Sequence, residues 1–128
     1  MREYIAYQGR TYQIEWYYND KGQSQALEYA DGLSRSDRVK LENLLRVMGD
    51  IGQIRNKTKF RSEGDQLYAF KPQPHRFLCF FVKGRKIIIT NGFVKKQDKL
   101  PKSEKDKAIK YKKDYQQRTK EETYYERD

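Results

Sequence analysis

The chain holds one cysteine, one histidine, one tryptophan and three prolines in 128 residues. A lone Cys79 excludes an internal disulfide. Its place inside the run RFLCFF at 76–81 predicts a small core hydrophobe, not an activated thiolate. One histidine and one cysteine give no Cys–His spacing for zinc, and no aspartate cluster lies in the basic part of the chain. Zinc and two-metal hydrolysis are therefore not expected, and no cofactor is expected. No glycine-rich phosphate loop is present. No run approaches the ~20 apolar residues of a membrane span. The opening text, MREYIAYQGRTY, lacks an apolar leader segment. A cytoplasmic protein without a membrane partner is the expectation.

Acidic residues are scarce in one place only. Arg55 to Lys102 carries 13 lysines and arginines against 3 acids. The segments on either side are close to neutral: 7 basic against 8 acidic groups before it, and 8 against 7 after it. The formal charge of +10 therefore belongs to one window. That window also holds the most apolar strand-like text, RFLCFF and KIIITNGF. A sheet flanked by nearly unopposed cations faces a polyanion, and nucleic acid is the first candidate.

The elements read in order. Residues 11–18 alternate through Tyr12, Ile14, Trp16 and Tyr18 and predict a strand, with a short strand at 4–7 before it. Ser24 caps a helix running to about Leu33, with Ala26, Ala30 and Leu33 on one face. Ser34 or Ser36 caps a second helix whose stripe is Leu41, Leu44, Leu45, Met48 and Ile51; Gly49 and Gly52 mark its end. The short link between them predicts an antiparallel hairpin. Leu67–Lys71 reads as a strand stopped by Pro72 and Pro74. Arg76–Val82 reads as a central strand, Lys83-Gly84 as a turn, and Arg85–Thr90 as its partner, interrupted or bulged at Asn91-Gly92. Pro101 and Ser103 open a last helix through Ala108, Ile109 and Tyr115. Residues 1–118 are expected to form one α+β domain with a mainly antiparallel sheet, and residues 119–128 a charged, flexible tail.

The stretch KFRSEGDQLYAFKPQPHRFLCFFVKGRKIIITNGFVKKQDKLPKSEKDKA, residues 59–108, resembles the RelE/ParE superfamily of type II toxins, in its HigB-like, phage-related branch. LYAFK at 67–71 is similar to the family's strand ending in a basic residue. His75-Arg76 is similar to its strand-opening pair, and NGFVKKQDKLP at 91–101 to its GF-x-KK string before a helix. The resemblance implies a small twisted sheet with an N-terminal helical hairpin on one face and a C-terminal helix. It implies the toxin of a toxin–antitoxin pair, a metal-independent mRNA endonuclease acting on the ribosome, with a cognate antitoxin as partner. The alternative it leaves open is a ParE-like gyrase inhibitor or a catalytically inactive basic nucleic-acid-binding module.

Metal-free RNA cleavage runs through the 2′-hydroxyl and needs a base, an acid and a cation for the developing phosphorane charge. The resemblance implies that lysines and arginines fill these jobs. Arg76 is expected to clamp the scissile phosphate. Lys71 is expected as base or second clamp, since neighbouring cations lower a lysine pKa. Of Lys95 and Lys96, one is expected to enter the site. His75 has the ordinary pKa suited to a general acid. Lys57, Lys59, Arg61 and Lys99 are expected to extend the electrostatic track, and Tyr68 to stack on a base. Three departures from the family pattern stand out: Ala69, where many RelE-like toxins carry lysine or glutamate, the lack of a tyrosine shortly after Lys96, and the unusual loop Pro72–Pro74.

Overall fold

A computed structural model of the chain describes residues 2–126. It contains β1 (Ile5–Gln8), β2 (Gln13–Trp16), α1 (Gln25–Asp31), α2 (Arg35–Ile51), β3 (Phe60–Gly64), β4 (Leu67–Phe70), β5 (His75–Val82), β6 (Lys86–Val94) and α3 (Lys102–Lys120). The strands form one six-stranded sheet in the order β1-β2-β6-β5-β4-β3. Neighbours are antiparallel except β2 and β6, which run parallel. The architecture is mixed α+β.

Strand alternation sorts the side chains into two cores. Phe77 and Cys79 of β5, with Ile87 and Ile89 of β6, pack against Ala26 and Ala30 of α1 and Leu41, Leu44, Leu45 and Met48 of α2. Leu78 and Phe80, with Ile88, face the other way, toward Ala108 and Tyr115 of α3. Burial on both faces explains why the text of β5 and β6 is nearly continuous apolar residue. Each such side chain contributes about 1.5–3 kcal/mol on burial.

The helix starts follow the sequence. Ser24 accepts from the Leu27 N–H at 3.3 Å and Ser34 from the Asp37 N–H at 3.2 Å. Gly52, at φ +90°, closes α2 in the left-handed region. Gly49 does not mark an end. It lies inside α2 as a crossing point, where its carbonyl accepts from the N–H groups of Thr11 and Tyr12 at 2.7 and 2.9 Å. A Cβ on the facing Gly9 would lie 2.2 Å from the Gly49 backbone, so the β1–β2 turn reaches the helix only because both residues are bare.

Three further expectations are corrected, and one strand, β3, has no counterpart in the sequence reading. β3 lies in text that showed no alternation: Phe60 is its one buried anchor, and the rest is held by backbone pairing to β4. β6 does not stop before Asn91-Gly92 but runs to Val94. The irregularity falls one residue earlier. Leu78 pairs with Asn91 and Cys79 with Ile89, leaving Thr90 over, and its hydroxyl donates to the Leu78 carbonyl at 3.1 Å. The N-cap of α3 is Pro101, without a side-chain bond, so Ser103 does not cap it. The chain after Arg118 is not a loose tail as far as Glu126. Tyr124 is 1% exposed inside the second core, where its hydroxyl accepts from the Tyr18 N–H at 2.9 Å. The hydroxyl of Tyr125 donates to Glu15 at 2.7 Å. The aromatic content of TYYE outweighs its charge. The last two residues of the expected tail lie outside the described part. Among the described residues no helix is long and apolar enough to cross a membrane.

Candidate functional site

On the α3 face, beyond the end of the helix-covered core, the sheet carries a cleft of about 230 Å³. Strand period places its walls. Arg61 of β3 pairs with Ala69 of β4, which pairs with Leu78 of β5. Two residues from this row lie Glu63, Lys71 and Arg76. Phe93 of β6 faces Arg76, and Lys95 follows two residues later. A spacing of two keeps side chains on one face, so all of these line the cleft. Ala69 and Leu78 form its floor. The small Ala69 side chain takes up little of the space. Asp98, Lys99, Leu100 and Pro101, on the approach to α3, close the far side.

Five cations (Arg61, Lys71, Arg76, Lys95 and Lys99) meet two carboxylates in this lining. Glu63 pairs with Arg61 at 3.4 Å and Asp98 with Lys95 at 3.1 Å. Among the described residues, Lys71 and Arg76 have no carboxylate partner, although each is only 8% exposed. Neutral acceptors hold them instead. Lys71 Nζ donates to the Lys57 carbonyl at 3.1 Å. Arg76 Nη1 donates to the His75 carbonyl at 2.8 Å and to Gln73 Oε1 at 3.1 Å. Buried cations without a directly paired carboxylate are costly to the fold and leave much of their field available to an anion.

Burial is the main cause that pushes the Lys71 ammonium below the ordinary lysine pKa. The charges of Arg61, Arg76 and Lys95 add to it, and Glu63 opposes them. Burial also lowers Arg76, with Glu63 acting against it and Arg61 with it. Arginine nevertheless stays protonated. The cleft therefore combines a fixed cation with an amine that is easier to neutralise than usual.

The remaining expected site residues divide. Lys95 enters the cleft and Lys96 does not; Lys96 lines the neighbouring cavity beside Tyr29 and Phe93. Lys59 lies on a third cavity, behind Lys71, with Pro72 and Gln73. Lys57 is exposed, and what it supplies is the carbonyl that holds Lys71. Tyr68 projects from the opposite face and lies parallel to Phe60, with ring centroids 5.6 Å apart, so it is not open to a base from the cleft. His75 also leaves the opposite face. Its Nδ1 lies 2.7 Å from the Tyr29 hydroxyl and its Nε2 2.9 Å from Asp37 Oδ2. With both ring nitrogens engaged, His75 is a clamp between β5 and the two N-terminal helices. That bond is also the main cause that holds the Asp37 carboxyl below its usual range.

Two acids in the cleft, Glu63 and Asp98, were not singled out from sequence. Arg61-x-Glu63 carried the signal, since two residues apart on a strand share a face. Reading it required knowing that this charged text is a strand. Among the described residues no three His, Cys, Asp or Glu side chains gather as a metal site requires.

A comparison with curated proteins finds no match. A family comparison does. Residues 28–113, more than half of the chain and every residue that lines the cleft, match the family described as phage derived protein Gp49-like (DUF891). That family is associated with toxin–antitoxin systems. The chain belongs to the phage derived Gp49-like family.

Proposed function

We propose that the protein is the toxin of a type II toxin–antitoxin pair and that its basic cleft cuts mRNA without a metal, on the ribosome. The observation that carries this reading is the pair of buried cations without a paired carboxylate, Lys71 and Arg76, in a cleft that also holds Arg61, Lys95 and Lys99. In this scheme Arg76 grips the non-bridging oxygens of a phosphodiester by bidentate donation. Neutral Lys71 takes the proton of the adjacent 2′-hydroxyl. The O2′–P bond forms, the P–O5′ bond breaks, and the departing O5′ takes a proton from Lys95. The products are a 2′,3′-cyclic phosphate and a 5′-hydroxyl end, and atoms balance without a co-reactant. Arg61 and Lys99 steer the strand by charge alone. The cognate antitoxin, an acidic or helical segment, covers this cleft and silences it.

One observation favours the second reading, a non-cleaving relative that binds gyrase or nucleic acid. Among the described residues no histidine or tyrosine lines the cleft. Induced expression separates the two. The parent chain is expected to arrest growth. Arg76→Ala is expected to lift the arrest while the purified variant keeps its fold by circular dichroism. Gyrase supercoiling is expected to be unaffected by the parent protein. Arrest by Arg76→Ala equal to the parent's overturns the site, and loss of supercoiling with intact mRNA establishes the second reading.

A further inference from the structure

Beside the cleft lies a second, more apolar cavity of about 440 Å³, and Phe93 belongs to the walls of both. Tyr29, Val94 and Pro101 line it, with Lys96 and Glu104 among its charged residues. Its unusual feature is main chain. β2 ends at Trp16, paired with Ile89, so β6 continues from Thr90 to Val94 with no strand on that side. The ladder to β5 fixes which amides face the gap. The Lys95 N–H donates to the Pro74 carbonyl, and Arg76 pairs with Phe93. The alternation therefore turns the N–H and C=O of Gly92 and Val94 away from β5.

At Gly92 a side chain fills the missing strand's place. The Gln25 carboxamide accepts from the Gly92 N–H at 2.8 Å and donates to its carbonyl at 2.7 Å. At Val94, two residues along, the same donor–acceptor pair meets only the cavity. Val94 is 38% exposed, and among the described residues neither main-chain group has a partner.

We propose that this cavity holds the nucleobase next to the cut phosphate, and that the Val94 N–H and C=O read its edge as Gly92 is read by Gln25. The proposal rests on the RNA-cleaving reading of the adjacent cleft. Every nucleobase carries a donor beside an acceptor and a planar face, and the Tyr29 and Phe93 rings supply an aromatic wall. The Glu104 carboxylate adds an acceptor and favours bases with an exocyclic amine over uracil. An added peptide strand is the poorer occupant, because the open edge offers a single residue between the Gln25 seal and the end of β6. Lys96, in the lining of the same cavity, offers a cation to a neighbouring phosphate.

The test maps breaks by primer extension in a cell-free translation reaction, using an mRNA that presents all four bases at each position around the cut. The parent is expected to disfavour uracil at one flanking position by about tenfold, the discrimination expected when the hydrogen bond from an exocyclic amine to Glu104 is lost. Val94→Pro removes only the N–H on the open side and breaks no ladder bond. It is expected to cut less often and, because the base is then no longer held in register against Glu104, to flatten that bias to under about threefold. Val94→Trp, which fills the cavity with a side chain, is the second variant, and both are checked for folding by thermal melting. A parent without base bias, or a bias unchanged in both variants, overturns the subsite. So does an unchanged bias with loss of antitoxin binding, which assigns the edge to a protein partner. A parent that makes no breaks at all instead removes the reading of the main cleft.

Discussion

At the scale of single residues, the proposed chemistry turns on the environment of Lys71. A lysine base works in its neutral form, so the cleavage rate is expected to rise with pH through the Lys71 pKa, which lies below the ordinary 10.5. The neighbours act with opposite sign. Removing a cation raises that pKa and removing an anion lowers it. Arg61→Gln is therefore expected to move the rising limb to higher pH, and Glu63→Gln to lower pH. A pH–rate profile on both variants checks this, and limbs that shift together remove Lys71 as the base. Much of this was legible before the fold. Lys71, Arg76 and Lys95 lie at the ends of strand-like text, and the structure gathers them. His75 and Tyr68 are instructive failures. Each sits one residue from a cleft residue, Arg76 and Ala69, and adjacent residues on a strand leave opposite faces. Alternation alone, applied from Arg76, places His75 among the helices.

At the scale of elements, the site depends on how β5 is held against α1 and α2. His75 bridges Tyr29 of α1 and Asp37 of α2. His75→Gln is expected to destabilise the fold by about 1–2 kcal/mol through its unmatched partners. Cleavage per folded molecule is expected to change by no more than a few-fold. Thermal melting paired with a rate measurement checks both, and a stable variant without activity would restore a catalytic role to the ring. The elements readable from sequence were those with strong periodicity: the α2 stripe and the apolar cores of β5 and β6. β3 was not, because an edge strand satisfied by backbone pairing needs no apolar alternation. The extent of β6 was hidden by Asn91-Gly92. Both fit inside a strand here, since Asn91 donates to Glu104 on α3 and Gly92 leaves room for Phe77.

At the scale of the whole molecule, two layers of helix flank one sheet, and five of the thirteen cations of the basic window meet at the sheet end that α3 leaves uncovered. The concentration of charge between Arg55 and Lys102 was plain in the sequence, and it is what raised the expectation of an anionic partner. The role of the last residues was not. Their charge suggested a tail, whereas Tyr124 closes the core, with the Arg118 guanidinium 4.7 Å from its ring centroid. Tyr124→Ala is expected to cost about 3–5 kcal/mol of stability, measured by denaturant unfolding; a loss under about 1 kcal/mol would show that the segment is not part of the fold. The central claim is that one cleft holds and cuts a phosphodiester. It is tested most directly by adding purified protein to a translating extract and analysing the ends of the mRNA fragments. The account predicts discrete breaks bearing 2′,3′-cyclic phosphate and 5′-hydroxyl ends, reduced about 10²- to 10³-fold in folded Arg76→Ala. Intact mRNA with the parent protein, or equal breakage by Arg76→Ala, would contradict it.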